Sequence, residues 1–385
     1  MAALFVLSFT VSNAIASFGV FLPTLAEVFG WSRGAISLAL SLNLLLGGVS
    51  GLGAGALADR HGPRPILLIT IGVGAAGFVL ASTMDSLWQL YLSIGVMGGV
   101  GGAGFYVIGA ATVARWFDRG RGLALGIVLA AFSVSYLTGG PVAAGLIESV
   151  GWRIAYLVLG SLVLFVGGGA TLLVHDPPGR ADATSERSSP EGGRGVSMRA
   201  AFADPRLWYL TLSWVLSGVV SLMLSVHVVS YAHDQGISLA SASLALTAYG
   251  LGSSLGRLVL GSLSDRLSGR PLMHVCVGLQ VGALVVLPWG PSQGVLLVIL
   301  TLFGFGFTGA DSVFVRIIPE VFGLQSLGAI TGVLSLGFRF GAAVGPALAG
   351  FVHDATNSYT LPFGLAPVLV VLSYVSFARG AHAHR

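Results

Sequence analysis

No lysine occurs among the 385 residues: all 19 basic side chains are Arg, set against 15 acidic residues and 8 His. Charge of either sign is scarce, at 9% of residues, whereas 55% are hydrophobic. Cysteine is nearly absent as well. Its one copy, Cys276, lies inside an apolar run, which excludes an intrachain disulfide and a cysteine metal site. A P-loop, a zinc-ligand spacing and a nucleophile elbow with partners are all missing, so nothing points to an ATP-driven pump, an enzyme, or a resident cofactor or metal. The Arg residues are spread through short loops and gather on no single face. The net charge of +4 is therefore not a nucleic-acid footprint.

What the chain has in abundance is long apolar runs, with a mean hydropathy of +0.89. A soluble core of this length has no room for so many apolar side chains, so the class is an all-α membrane protein. A bilayer core takes roughly 20 apolar residues per helix. Spans are expected at about 3–29, 35–57, 65–84, 87–113, 121–147 and 153–174, then 207–232, 238–263, 271–289, 294–317, 326–352 and 361–379. The first run is too long and continuous for a leader's apolar region and reads as an uncleaved helix. Twelve transmembrane helices thus form two six-helix bundles, 1–174 and 206–385. Between them, 175–205 holds Pro177-Pro178, Ser188-Ser189-Pro190 and Gly192-Gly193 among mixed charges, a surface linker.

Arg placement gives the expected orientation. With both termini in the cytoplasm, fifteen Arg fall inside and only Arg33 and Arg153 outside, the bias that places the protein in a cytoplasmic membrane. The remaining two, Arg257 in the eighth span and Arg339 in the eleventh, fall at hydrocarbon depth. A central Arg costs about 2.5–3.5 kcal/mol on insertion scales, so each needs a partner or a wet cavity. Asp311 in the tenth span is the eligible carboxylate, and Arg316 competes for it. One Asp cannot neutralise two Arg, which leaves a cationic site for an exogenous anion.

Two copies of one phrase organise the chain. Gly55-Ala-Leu-Ala-Asp59-Arg60-His-Gly62-Pro-Arg64 recurs as Gly261-Ser-Leu-Ser-Asp265-Arg266-Leu-Ser-Gly269-Arg270, each where one apolar run ends and the next begins. Gly lets two helices approach, Asp accepts from the next helix N-terminus, and Arg stays in water beside anionic lipid. The repeat resembles the signature loop of the major facilitator superfamily (MFS). The resemblance implies alternating access by two rocking bundles around a midplane site, with the two hairpins as gating elements and a monomeric functional unit.

A narrower likeness rests on Ser17-Phe-Gly-Val-Phe21, Phe29-Gly-Trp-Ser-Arg33, the Arg115–Gly126 stretch, Gly151-Trp-Arg153 and His227–Gly236, which are similar to the bacterial monocarboxylate-porter branch. In that branch an Arg two turns before the cytoplasmic hairpin is the carboxylate ligand, and Arg257 stands there. Its guanidinium suits the role because it can hold a carboxylate through two parallel hydrogen bonds. Ser253 occupies the position, one turn earlier, where animal members carry a proton-coupling Asp. A second cation on the eleventh helix resembles the oxalate exchangers, and Arg339 lies near the corresponding place.

Other polar residues are candidates of two kinds. Asn13 and Asn43 line a cavity or bond neighbouring helices. Tyr106 donates to a substrate or packs. His227 titrates in the physiological range but sits near the outer end of its helix, where gating or structural bonding competes with proton coupling. Asp311 is the first choice for proton carrier, its alternative being a permanent ion pair with Arg339. Gly99-Val-Gly101-Gly-Ala-Gly104 satisfies G-x-G-x-x-G inside an apolar helix, so it reads as helix packing, not a nucleotide loop. The expected function is secondary transport of a small organic anion, such as lactate or pyruvate, with a proton. The alternatives are dicarboxylate exchange, efflux of amphipathic compounds, or a membrane receptor or scaffold on a transporter fold.

Overall fold

The computed structural model describes residues 1–116, 121–175, 196–264, 269–323 and 325–382, with the side chains at 106, 114, 121–125, 129 and 264 outside the description. Twelve long helices follow one another: α1 (Ala2–Phe29), α2 (Arg33–His61), α3 (Pro63–Ser82), α4 (87–116), α5 (Arg121–Val150), α6 (Trp152–Leu172), α7 (Pro205–Asp234), α8 (Leu239–Ser264), α9 (Gly269–Trp289), α10 (Gln293–Phe322), α11 (Leu327–Thr356) and α12 (Thr360–Gly380). Eleven are long and apolar enough to cross a bilayer. The twelfth, α8, carries Arg257 and several Ser and Gly, and its 26 residues reach roughly 39 Å at 1.5 Å per residue, past the ~30 Å hydrocarbon core.

Local chemistry explains the helix ends. Gly62 closes α2 at φ +84°, a backbone region an L side chain enters only with strain, and Pro63 then occupies the first turn of α3, where its missing N–H costs nothing. Ser32 caps α2 by accepting from the Ala35 N–H, and Asp204 caps α7 from the Arg206 N–H. Helices α1 and α4 are not uniform rods. The first breaks at Ser17, whose hydroxyl donates to the Ala14 carbonyl, and α4 winds as a π-helix over Tyr91–Met97.

The packing repeats with a period of six helices. In the first half α2 lies on α4, α1 on α5 and α3 on both α4 and α6; in the second, α8 lies on α10, α7 on α11 and α9 on both α10 and α12. The halves meet through α2 with α11, α5 with α8, and α1 with α7. The glycine run of α4 serves this packing. A Cβ on Gly101 would sit 2.6 Å from the Gly74 nitrogen of α3, so the G-x-G-x-x-G phrase is a helix contact.

Buried apolar side chains show how the halves are joined. One cluster runs through both, from Phe18, Phe21 and Leu25 of α1 to Met223, Val228 and Ala232 of α7 and Tyr359 and Phe363 beyond them. Toward the signature hairpins the buried residues divide into two clusters, one around Leu67 and Ile108 of the first half, the other around Leu260 and Phe314 of the second. The two halves are fused at the Arg33 end and separately cored at the hairpin end.

Candidate functional site

Helix α8 brings Arg257 to the meeting of the halves. Gly250 of α8 packs against α5, since a Cβ there would lie 2.6 Å from the Leu137 nitrogen, and Thr247 donates to the Leu137 carbonyl. Arg257 is seven residues further, two turns on, and so occupies the same helix face. Its Nη2 lies 3.5 Å from Asp311 Oδ2 of α10, with the two side chains 29% and 31% exposed. That is a single, long contact where a guanidinium and a carboxylate can form two short ones. The Nε of Arg257 is buried with no partner among the described residues, and so is the hydroxyl of Ser253 one turn earlier. A buried donor left unmade costs about 1–3 kcal/mol, so these groups have spare hydrogen-bonding capacity.

Arg339 faces the same way from the other side of the second half. Gly337 and Gly341 of α11 press on α7, which turns Arg339 toward α2. There its Nη1 would be 3.7 Å from a Cβ on Gly47, and its Cδ 3.3 Å from one on Gly48. The expected competition for Asp311 does not arise from Arg316, which bonds Glu320 one turn on at 3.2 Å.

The polar residues proposed as lining candidates have helix partners. Asn13 Nδ2 donates to Thr138 Oγ1 at 2.6 Å, tying α1 to α5, and Asn43 Nδ2 donates to the Ile94 carbonyl at 2.7 Å, tying α2 to α4. Asn43 also borders a small cavity inside the first half, together with Phe21 and Tyr156. The Tyr106 side chain lies outside the described residues, as do Asp265, Arg266 and the 176–195 part of the linker. In the first hairpin Asp59 pairs with Arg115 of α4 at 3.5 Å, while Arg60 and Arg64 are exposed. Gly55 lies against Val107, Gly261 near Ser312, and Arg270 opens α9 at the surface.

His227 belongs to a different assembly, at the Arg33 end. There Arg33 of α2 holds Asp234 of α7 through two parallel 2.6 Å hydrogen bonds and donates a third, at 3.0 Å, to the Tyr359 hydroxyl. Asp354 of α11 receives the backbone N–H groups of Arg33 and Gly34 at 2.9 and 2.8 Å, so a carboxylate from one half caps a helix of the other. The chain can come this close because Gly350 faces Gly34: a Cβ on Gly350 would lie 2.6 Å from the Gly34 Cα. His227 completes the network. Its Nε2 lies 2.8 Å from the Pro346 carbonyl, which can only accept, so Nε2 carries the hydrogen. Nδ1 then accepts from the Tyr359 hydroxyl at 2.9 Å, which leaves that oxygen free to receive Arg33. Tyr359 sits in the turn between α11 and α12, where burial pushes its hydroxyl pKa up and keeps the proton this relay needs.

Arg153 marks the same end of the molecule, bonded to Asp85 at 2.6 Å and stacked on Trp152 at 4.4 Å. The Arg33 lock escaped the sequence reading because Asp234 and Asp354 lie 201 and 321 residues away. A signal existed in the two acids at the ends of apolar runs facing Arg33 across the halves, but only tertiary pairing singles them out.

Twelve helices in two repeated sets, joined at one end around an internal cationic site, define a membrane transporter of the two-bundle type. The Major Facilitator Superfamily sequence model matches residues 4–240 and 220–383, and the chain belongs to that family. It is 29% identical over 383 residues to human monocarboxylate transporter 11, covering 96% of this chain and 80% of that protein. Rat monocarboxylate transporter 13 is 27% identical, covering 92% and 82%. An MFS-type transporter of Escherichia coli, YhjX, is likewise 27% identical over 83% of this chain and 82% of its own length. Among solved structures, a bacterial homologue of the human lysosomal transporter Spinster, captured inward-facing and occupied, superimposes with a TM-score of 0.76 at 16% identity, over 99% of this chain and 92% of that one.

Proposed function

We propose that the protein carries a small monocarboxylate together with one proton across the cytoplasmic membrane by alternating access, with both termini in the cytoplasm. The observation that carries this reading is the Arg257–Asp311 pair, within two long apolar helices, held by one 3.5 Å contact while the Arg257 Nε has no partner among the described residues. Monocarboxylate transporters among the relatives support the substrate class.

The pair supplies a coupling rule. With Asp311 ionised, its charge occupies the guanidinium and no external anion is needed. A proton on Asp311 removes that charge, and Arg257 then meets a substrate carboxylate through two parallel bonds, with the Ser253 hydroxyl one turn away as a further donor. Carboxylate and proton cross together, so the loaded step moves no net charge. After the substrate leaves, Asp311 releases its proton and recaptures Arg257. The bundles rock about the midplane site, and Arg33–Asp234 must part for the Arg33 end to open.

Uptake of labelled lactate, pyruvate, acetate and oxalate into proteoliposomes, with and without an imposed pH gradient, tests both halves of this reading. Gradient-driven accumulation of a monocarboxylate that Arg257→Leu abolishes is the expected result. Acid flux that survives Arg257→Leu overturns it, and preference for oxalate without any pH drive would replace symport by dicarboxylate exchange.

A further inference from the structure

Asp311 does not face Arg257 alone. Its other surroundings form a second cavity, of about 40 Å³, inside the second half between α7, α9, α10, α11 and α12. Aromatic rings wall it, with Trp214 stacked on Phe314 at 4.6 Å. Its polar lining is set against them: Asp311, Ser217, Ser373, Gln280 and Tyr374. Three serine hydroxyls form a ladder across α7 and α12, with Ser373 3.1 Å from Ser213 and 3.0 Å from Ser217. Tyr374 then hydrogen-bonds Nε2 of His274, which is exposed on the second turn of α9. By helix rise, His274 stands about 8 Å from the hairpin end of α9 and Asp311 about 16 Å from the corresponding end of α10. The polar line therefore leads from the middle of the membrane toward the hairpin side.

A cavity of this size has room for roughly two or three waters, and each needs two to four polar partners, which this lining supplies. A purely structural cavity in an apolar bundle would be lined by apolar atoms. We propose that this cavity is the proton exit of Asp311: the proton leaves through the interior of the second half to Tyr374 and His274, off the path the carboxylate takes. The inference rests on Asp311 as the proton carrier. In the step, the Asp311 O–H bond breaks and its proton passes to a cavity water or serine hydroxyl, which hands on one of its own. The Tyr374 oxygen receives a proton on one side and gives its hydroxyl proton to His274 Nε2 on the other. His274, then protonated on both ring nitrogens, releases its Nδ1 proton to bulk water, and a tautomer shift returns the Nε2 hydrogen to Nδ1, so each oxygen and nitrogen ends as it began.

Charged and titratable neighbours around Asp311 are consistent with this direction. Arg257 of α8 holds the ionised form after release, Cys276 of α9 is buried beside Gly309, and Tyr374 of α12 is the titratable group of the lining that reaches the surface, through His274.

Net uptake driven by a pH gradient and exchange at equal pH on both sides separate the two steps, because exchange returns a loaded carrier and needs no proton release. The probe is whichever of labelled lactate, pyruvate, acetate and oxalate the unaltered protein takes up fastest. In Tyr374→Phe and in His274→Gln, net uptake is expected to fall about tenfold, the scale of one lost hydrogen bond in the rate-limiting relay, while exchange stays within about twofold. Net uptake unchanged in both variants overturns the route. So does a parallel fall in net uptake and exchange, which marks damage to the bundle. If the unaltered protein exchanges acid but ignores the pH gradient, symport itself fails, and that outcome is visible before any variant is made.

Discussion

Two Arg–Asp pairs between helices, Arg33–Asp234 and Arg257–Asp311, could hardly be more different. Arg33–Asp234 is bidentate at 2.6 Å, with a tyrosine hydroxyl taking a further guanidinium hydrogen and Asp354 holding the backbone beside it. Arg257–Asp311 has one contact at 3.5 Å, and the Arg257 Nε has no partner among the described residues. The same two functional groups thus make a tight clasp in one place and a loose contact in the other, the one proposed above as the receptor. Satisfied donors hold a conformation, because separating them costs charge-assisted bonds worth roughly 1.5–3 kcal/mol each. Unsatisfied donors wait for a ligand to complete them. The hydrophobic clusters repeat the contrast, continuous across both halves around the lock and divided toward the hairpins.

Removing the receptor has the largest expected effect. Arg257→Leu leaves Asp311 without its cation and the substrate without its fork, and uptake in proteoliposomes should drop by roughly 100-fold or more, the range for truncating one partner of a buried charge pair. Uptake reduced less than about threefold would make the pair structural. Asp311→Asn comes next. It keeps the shape and removes the titration, so accumulation against a gradient should vanish while exchange of labelled for unlabelled acid persists. Accumulation in D311N would move proton coupling elsewhere, to His227 first.

Breaking the lock should act on conformation and not on affinity. Arg33→Ala favours the state open at that end by about 1.5–3 kcal/mol, a shift of roughly ten- to a hundredfold in population. Cys276 is fully buried, which leaves a quiet background for thiol labelling. With Ser41→Cys on α2 as reporter, a membrane-impermeant maleimide added outside should react several-fold faster when Arg33 is Ala. Equal labelling rates would mean that the ion pair holds nothing shut. Tyr359→Phe is the smallest perturbation, because it deletes the relay between His227 and Arg33 yet spares both carboxylates. About 1 kcal/mol is at stake, enough to raise the same labelling rate by a few-fold.

Much of this was legible in the order of residues. Twelve apolar runs, the repeated phrase around Asp59 and Asp265, and an Arg257 inside an apolar run all follow from hydropathy and local spacing. The helix bounds agree except at a few ends: α2 runs to His61, α10 to Phe322 and α11 to Thr356, several residues past the expected stops at 57, 317 and 352. All three overruns carry amphipathic ends that hydropathy alone trims, with Asp59 paired to Arg115 in the first, Glu320 bonded to Arg316 in the second and Asp354 bonded to α2 in the third. Asn13 and Asn43 could not be read so simply. A polar side chain in an apolar helix lines a cavity or bridges a neighbour equally well, and only the structure shows that Asn13 bridges to Thr138 while Asn43 both bridges to the Ile94 carbonyl and borders a cavity. His227 had the same ambiguity, and only the structure shows its partners, Tyr359 and the Pro346 carbonyl.

Hydropathy acts residue by residue along the chain, so the sequence by itself determined a twelve-span membrane protein with a repeated hairpin and a charged residue too deep to be idle. Which charges find each other is a different kind of fact. It depends on separations of a few ångströms between helices up to some 320 residues apart, and a pair at 2.6 Å behaves unlike one at 3.5 Å because charge-assisted bonds weaken steeply with distance and angle. Tertiary packing alone therefore decided that Arg33 is the clasp and Arg257 the open hand.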